Sequence, residues 1–313
     1  MMTEQNRKIA CVGSGVIGRG WATGFASAGF EVSLYDVDES AVQHAMSGIK
    51  CSLEDLQEAG MISSSEETIA LIKPTRSLAD AVLGADYVQE SVFEDIAVKR
   101  EVYEALDKHI GPDTVVGSSV SGLPASGFMG GLSISSRCLV MHPTTPPYLA
   151  PLTEIFCTPW TTEEALQFAE KIMAEVGQVT VRVNKEIDGY VLNRIQAAVV
   201  GEALHLVGEG VITAADLDKV LVYGLGMRWS IMGPFLTGHL NAAGGYKDYM
   251  TRYGDCYKRW GKDLRVDYDW DMDVIDQVHA SLEATFPIKG EIEGQRWRDS
   301  KLMGLRKNMR DDR

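Results

Sequence analysis

Short apolar runs recur through the first half of the chain, and between them apolar residues return every three or four positions. Residues 9–12, 32–35, 72–74, 86–90 and 114–116 form the first five runs. The stretches between them read as helices: 38–60 stopped by Gly60, a shorter piece at 66–71, 77–84, and 96–110 closed by Gly111-Pro112. Strand alternating with helix implies a mainly parallel, doubly wound sheet. Near residue 137 the pattern changes. Residues 137–142 and 152–157 are strand-like and flank a proline-rich loop, PTTPPYLAP; a helix at 161–176 and a last strand at 179–183 follow. Beyond Ile187 the β signal stops, and helical patterns continue with breaks at Gly224–Gly226, Gly233-Pro234 and Gly244-Gly245. A domain boundary is therefore expected near residue 187. The closing stretch, RWRDSKLMGLRKNMRDDR, reads as a charged, solvated helix or tail.

The first strand–helix–strand unit carries the most specific chemistry. It reads KIACVGSGVIGRGWATGFASAGFEVSLYD from Lys8 to Asp36. Gly13 lets the chain turn tightly off the strand, Gly15 lets the backbone approach a pyrophosphate, and Gly18 lets helix and strand pack closely. The helix start at Val16 and Ile17 presents free N–H groups and its dipole to an anion. Asp36 ends the second strand, where an acid hydrogen-bonds the adenosine ribose diol and repels a 2′-phosphate. Val37 and Asp38 follow it with no arginine, so NAD is expected over NADP. A glycine turn in a sheet protein that binds nothing would leave the placement of Asp36 without a reason.

Composition narrows the class further. The chain has 313 residues, which favours two domains, and its 30 basic against 44 acidic residues give a net charge of −14. Such a surface disfavours nucleic acid and anionic membranes as partners. No uncharged apolar run approaches bilayer length, and the start, MMTEQNRK, has no apolar signal region, so a cytoplasmic location is expected. Cys11, Cys51, Cys138, Cys157 and Cys256 are odd in number and contain no CxxC pair, which reads as reduced thiols.

Polar residues at the strand ends come next, because ligands of such sheets sit outside the carboxyl ends of the strands. Ser121 follows the fifth strand, His142 ends the sixth, Glu154 lies in the returning strand, and Asn193 opens the helical half. Oxidising a secondary alcohol with NAD requires a base for the hydroxyl proton, and histidine suits it. A carboxylate beside it fixes the ring tautomer and stabilises the imidazolium. Ser and Asn donors can hold the reacting oxygen. Taken singly, each has a plainer account: turn chemistry for the serine, a satisfied strand-end histidine, a surface ion pair for the glutamate, an exposed helix residue for the asparagine. The other histidines (His44, His109, His205, His239, His279) lack ligand spacing, and no metal is expected. A Ser–His–acid hydrolase is the competing chemistry. The segment Ser119-Val120-Ser121-Gly122 lacks the GxSxG elbow, which ranks that reading lower.

With these residues in view, the chain resembles the 3-hydroxyacyl-CoA dehydrogenase superfamily, and more closely its L-gulonate 3-dehydrogenase (lambda-crystallin) branch. The resemblance covers nearly the whole chain and rests on VGSGVIGRGWA, VQESVFEDIAVKREVY, GSSVSG, MHPTTPPYLAPLTE, DGYVLNRIQAA and GLGMRWSIMGPFLTGHLNAAGG. It implies catalytic roles for Ser121, His142, Glu154 and Asn193, and further NAD contacts at Glu94 and Lys99. Arg228 matches an arginine of the branch that takes free 3-hydroxy acids, and a guanidinium fork suits a carboxylate; a surface ion pair is its plain alternative. The chain departs from the family pattern at Thr145, where Asn is usual, at Val120, where Ser or Thr is usual, and at Leu236, where Glu is usual. All three changes remove hydrogen-bonding capacity near the expected pocket, Thr145 among its lining residues, so the resemblance leaves the substrate open.

The resemblance therefore implies an α/β fold: a Rossmann-type NAD-binding domain over residues 1–186 and an all-helical substrate and dimerisation domain over 187–313, forming a homodimer. The expected reaction is NAD-dependent oxidation of an L-3-hydroxy acid, L-gulonate or a short 3-hydroxy acid, to the 3-oxo acid. Carnitine dehydrogenation, 3-hydroxyacyl-CoA dehydrogenation and a non-catalytic NAD-binding crystallin role are the alternatives.

Overall fold

The computed structural model describes residues 7–264, 268, 270–285 and 291–310; the opening residues and the last three of the charged tail lie outside them. Eight strands form one sheet in the order β3-β2-β1-β4-β5-β6-β7-β8. They are β1 Lys8–Val12, β2 Glu31–Tyr35, β3 Ile72–Pro74, β4 Tyr87–Glu90, β5 Val115–Ser118, β6 Cys138–Pro143, β7 Leu152–Cys157 and β8 Val179–Arg182. From β3 to β6 all neighbours are parallel; β7 runs antiparallel to β6, and β8 lies parallel to β7. Each expected strand is present. The antiparallel β6–β7 pair is possible because the connecting loop is short, whereas parallel neighbours need a helical crossover.

Alternation along β1 shows why both sheet faces are covered. Ile9 and Cys11 join one apolar cluster with Trp21, Phe25, Ile49 and Leu53, while Ala10 and Val12 join another with Tyr103, Leu106 and Phe128. Successive strand side chains point to opposite faces, so a strand apolar at every position must be sandwiched. Helices Val16–Ser27 and Glu39–Glu58 supply the first cover, and Ile96–His109 supplies much of the second.

Strand order reverses between β1 and β4, since the chain first builds outward through β2 and β3 and then returns to the other side of β1. A crevice opens at the carboxyl ends of strands at such a switch point. Gly13 leaves β1 there with φ 97°, and a β-carbon on it would run into the backbone of Ser91 at the end of β4.

The described chain divides into two compact units, residues 1–193 with 292–313 and residues 194–291. The second unit is helical, with helices Ala214–Lys219, Pro234–Leu240, Gly245–Trp260 and Met272–Thr285. Where glycine breaks were expected near Gly224, the chain instead makes a π-helical stretch, Val220–Gly226.

The charged closing stretch needs a correction. It forms helix Glu291–Arg310, and Asp299, Met303 and Arg306 are buried against the sheet unit rather than solvated. Asp299 accepts a hydrogen bond from the Tyr148 hydroxyl at 2.5 Å, Arg306 donates to the Tyr148 carbonyl, and Arg296 pairs with Asp55. Asp299 and Arg306 on its inner face find partners there while Lys301 and Lys307 stay exposed, so polarity alone was a poor guide to exposure.

Candidate active site

Helix Val16–Ser27 begins at Gly15 without a side-chain cap and without an acid in its first turn. By contrast, helices Glu39–Glu58, Ile96–His109 and Glu163–Val176 are capped by Asp38, Asp95 and Thr162. An uncapped start leaves backbone N–H groups of residues such as Val16 and Ile17 available to an anion. A β-carbon on Gly15 would meet nothing within 4 Å, whereas one on Gly18 would strike the Gly13 carbonyl. Gly18 therefore serves packing and Gly15 faces open space. Asp36 lies across this turn, its Oδ2 accepting the Ser14 N–H at 2.7 Å and hydroxyl at 2.9 Å. Beside them a cavity of about 620 Å³ is lined by Gly13, Gly15 and Asp36 and walled by Leu78, Val92 and Val102. Open space, an uncapped helix start, a carboxylate and apolar walls fit a dinucleotide: N–H groups for the pyrophosphate, Asp36 for the ribose.

The histidine and the glutamate singled out in the sequence sit on β6 and β7. Antiparallel register sets His142 directly opposite Glu154. Their side chains meet, His142 Nδ1 to Glu154 Oε2 at 2.8 Å, and both are almost fully buried. Glu154 Oε1 accepts the backbone N–H groups of Val191 and Leu192, each at 3.0 Å. Those donors open helix Leu192–Gly208, so Glu154 also lies at the positive end of a helix dipole. One carboxylate thus orients the imidazole with one oxygen and caps a helix with the other. The neutral ring then carries its proton on Nδ1 and leaves Nε2 as the basic nitrogen.

Ser121 and Asn193 are also brought together, the Asn193 side-chain amide donating to the Ser121 carbonyl at 3.0 Å. Glu94 Oε1 accepts the backbone N–H groups of Ser121 and Gly122 at 2.8 Å and the Ser121 hydroxyl at 3.3 Å. Lys99 is buried, donating to Glu90 Oε1 at 2.8 Å, with Glu94 Oε2 3.8 Å away. The Ser118 hydroxyl donates to the other Glu90 oxygen at 2.5 Å. These links support the serine loop from below.

The remaining sequence candidates are dispersed. Thr145 is exposed in the loop after His142, and Val120 is buried in the core under Ser121. Arg228 and Leu236 belong to the second unit, where both are exposed; Arg228 Nε donates to the Gly224 carbonyl at 3.4 Å across the π-helical stretch. Sequence reading missed Tyr190. Its ring lies 5.7 Å from the His142 ring, and it precedes the residues whose N–H groups bind Glu154. The available signal was its place in an Asp-Gly-Tyr turn immediately before a helix.

Comparison with known proteins decides the lineage. The family description "3-hydroxyacyl-CoA dehydrogenase, NAD binding domain" matches residues 8–187, and "3-hydroxyacyl-CoA dehydrogenase, C-terminal domain" matches 189–265. The chain belongs to the 3-hydroxyacyl-CoA dehydrogenase family. It is an NAD-dependent dehydrogenase. Within this family it is 38% identical over 304 residues to the lambda-crystallin homolog of Rattus norvegicus, covering 96% of this chain and 95% of the relative. It is 35% identical over 254 residues to the L-carnitine dehydrogenase of Oceanobacillus iheyensis, covering 80% and 82%. Among solved structures, a 5-formyl-3-hydroxy-2-methylpyridine 4-carboxylic acid 5-dehydrogenase, an NAD+-dependent dismutase, superposes with a TM-score of 0.83 at 29% identity, covering 98% and 99%. The dehydrogenase family's NAD-domain match spans the uncapped helix, Asp36 and the His142–Glu154 pair.

Proposed function

We propose that this dehydrogenase oxidises the secondary alcohol of a small L-3-hydroxy acid to the 3-oxo acid. The observation that carries the reading is the buried His142–Glu154 pair, with Glu154's second oxygen held by two backbone N–H groups. NAD, when bound, supplies the hydride acceptor. His142 Nε2 takes the hydroxyl proton, and the imidazolium that forms is stabilised by Glu154 through Nδ1–H. The Ser121 hydroxyl and the Asn193 amide hold the reacting oxygen; in the reverse direction they polarise the carbonyl. Glu94 and Lys99 fix the loop that carries Ser121 and complete the nicotinamide side, while Thr145 lines the substrate side.

Arg228 is assigned as the anchor of the substrate carboxylate, because a planar guanidinium fork binds carboxylate in bidentate fashion. A thioester offers no such group. Two similar proteins support an acid substrate: one is an L-carnitine dehydrogenase and another acts on a pyridine carboxylic acid. L-gulonate and short 3-hydroxy acids lead, with carnitine next. Exposed Val222, Tyr223, Met227, Ile231, Phe235 and Leu240 in the second unit support a homodimer formed through the helical unit. The described cysteines are all unpaired, which supports a reducing, cytoplasmic setting.

The deciding experiment is NADH formation from L-gulonate, L-carnitine, L-3-hydroxybutyrate and L-3-hydroxybutyryl-CoA, each with NAD and NADP, in the parent and in Arg228→Ala. Turnover of a free acid, with its KM raised by Arg228→Ala, is the expected result. Turnover of the thioester alone, indifferent to that change, would return the chain to acyl-CoA chemistry. NAD binding with no turnover of any alcohol would favour the crystallin-like role.

A further inference from the structure

Tyr190 combines features that a plain core residue does not need. Its φ is 46°, a left-handed conformation that a bulky side chain rarely adopts, and Gly189 before it has φ 72°. The residue is 1% exposed, yet its hydroxyl has no hydrogen-bond partner among the described residues. Burial, reinforced by the carboxylates of Glu186, Glu94 and Glu154, pushes the phenol up, so it stays protonated. Backbone strain and an unpaired buried hydroxyl both cost free energy, and they coincide at the residue against the imidazole.

The two left-handed residues explain where the following N–H groups point. After Gly189 and Tyr190 the chain has turned so that Val191 and Leu192 both donate to Glu154 Oε1, while the Tyr190 ring closes on His142 at 5.7 Å and on Phe156 at 6.4 Å. One residue later, Asn193 reaches the Ser121 carbonyl. Four consecutive residues therefore touch His142, Glu154 and Ser121. We propose that Tyr190 is a positioning residue for the His142–Glu154 pair: its turn aims two N–H groups at Glu154, and its ring walls the imidazole against rotation. The hydroxyl has no part in this. The inference rests on His142 being the base.

The test compares Tyr190→Phe, Tyr190→Ala and His142→Gln, reading kcat, the NAD KM and the melting temperature. Tyr190→Phe keeps the ring and the turn, so its kcat is expected at least about fivefold above that of Tyr190→Ala, and its melting temperature equal to or higher than the parent's. Tyr190→Ala frees the ring wall and is expected to lower kcat by roughly 10- to 100-fold, as small misplacements of reacting groups do, with the NAD KM nearly unchanged. Tyr190→Leu makes the same comparison if the alanine variant does not fold. Full kcat in Tyr190→Ala or Tyr190→Leu, beside an inactive His142→Gln, would overturn the positioning role and leave the base assignment intact. A Tyr190→Phe as impaired as Tyr190→Ala would overturn it too, by giving the hydroxyl a part in chemistry. Equal losses in kcat and NAD affinity would reduce Tyr190 to general packing. An active His142→Gln would remove the base itself.

Discussion

Each oxygen of Glu154 has a different partner. With Oε2 on Nδ1 and Oε1 on two backbone N–H groups, the carboxylate cannot turn away without breaking a bond on one side. His142→Ala should therefore lower kcat by about 10²- to 10⁴-fold, the usual worth of a general base, and leave NAD affinity near the parental value. Full activity on the best substrate would dismiss His142 as base. Asp36 is the residue proposed to set the cofactor preference. Asp36→Ala should raise the NAD KM by roughly 10- to 100-fold, the range of one or two charge-assisted hydrogen bonds, and narrow the gap to NADP. Since Asp36 also accepts from Ser14, some loosening of the glycine turn should accompany it. An unchanged NAD/NADP ratio would contradict the ribose role.

At the scale of elements, the glycines of the first turn separate binding from folding. Gly18→Ala drives a methyl group into the Gly13 carbonyl and should destabilise the protein by thermal melting. Gly15→Ala meets open space, so it should leave the melting temperature alone and weaken NAD instead. Loss of stability in both would mean that the open space at Gly15 is not a ligand's. The strands were readable because a short unbroken apolar run, bounded by turn residues, suits a strand covered on both faces. Glu154 was readable because twelve residues separate it from His142 across a hairpin-like return. The Gly189–Tyr190 turn was not. An Asp-Gly pair before a helix marks a turn, but the left-handed conformation of the tyrosine after it is imposed by what surrounds it. The π-helical stretch was hidden for a similar reason: Gly224 and Gly226 read as breaks, but they only loosen a helix that continues.

Across the whole molecule, burial sorts the cysteines. Cys11 and Cys138 lie in the core; burial pushes the Cys138 thiol up to about 12 and Cys11 higher still. Native protein at pH 8 should give at most three reactive thiols with an aromatic disulfide reagent, and all five only after denaturation. Prompt reaction of a fourth would mean that the sheet opens locally. The closing helix was the least legible part of the chain, because a stretch so rich in charge looks solvated until Tyr148 and Asp55 are seen to receive it. Removing it should lower the melting temperature by roughly 3–10 °C, given the burial of Met303 and the lost polar contacts.

That helix also sets an order of events at the ribosome. The sheet unit is completed by residues 292–313, and 98 residues of the other unit (194 to 291) must be synthesised first. At about 5–20 residues per second, the nascent sheet waits roughly 5–20 s with the Tyr148 and Asp55 surface bare. The first domain begun is thus the last one finished, and a chain that stalls before its end releases an uncovered dinucleotide fold.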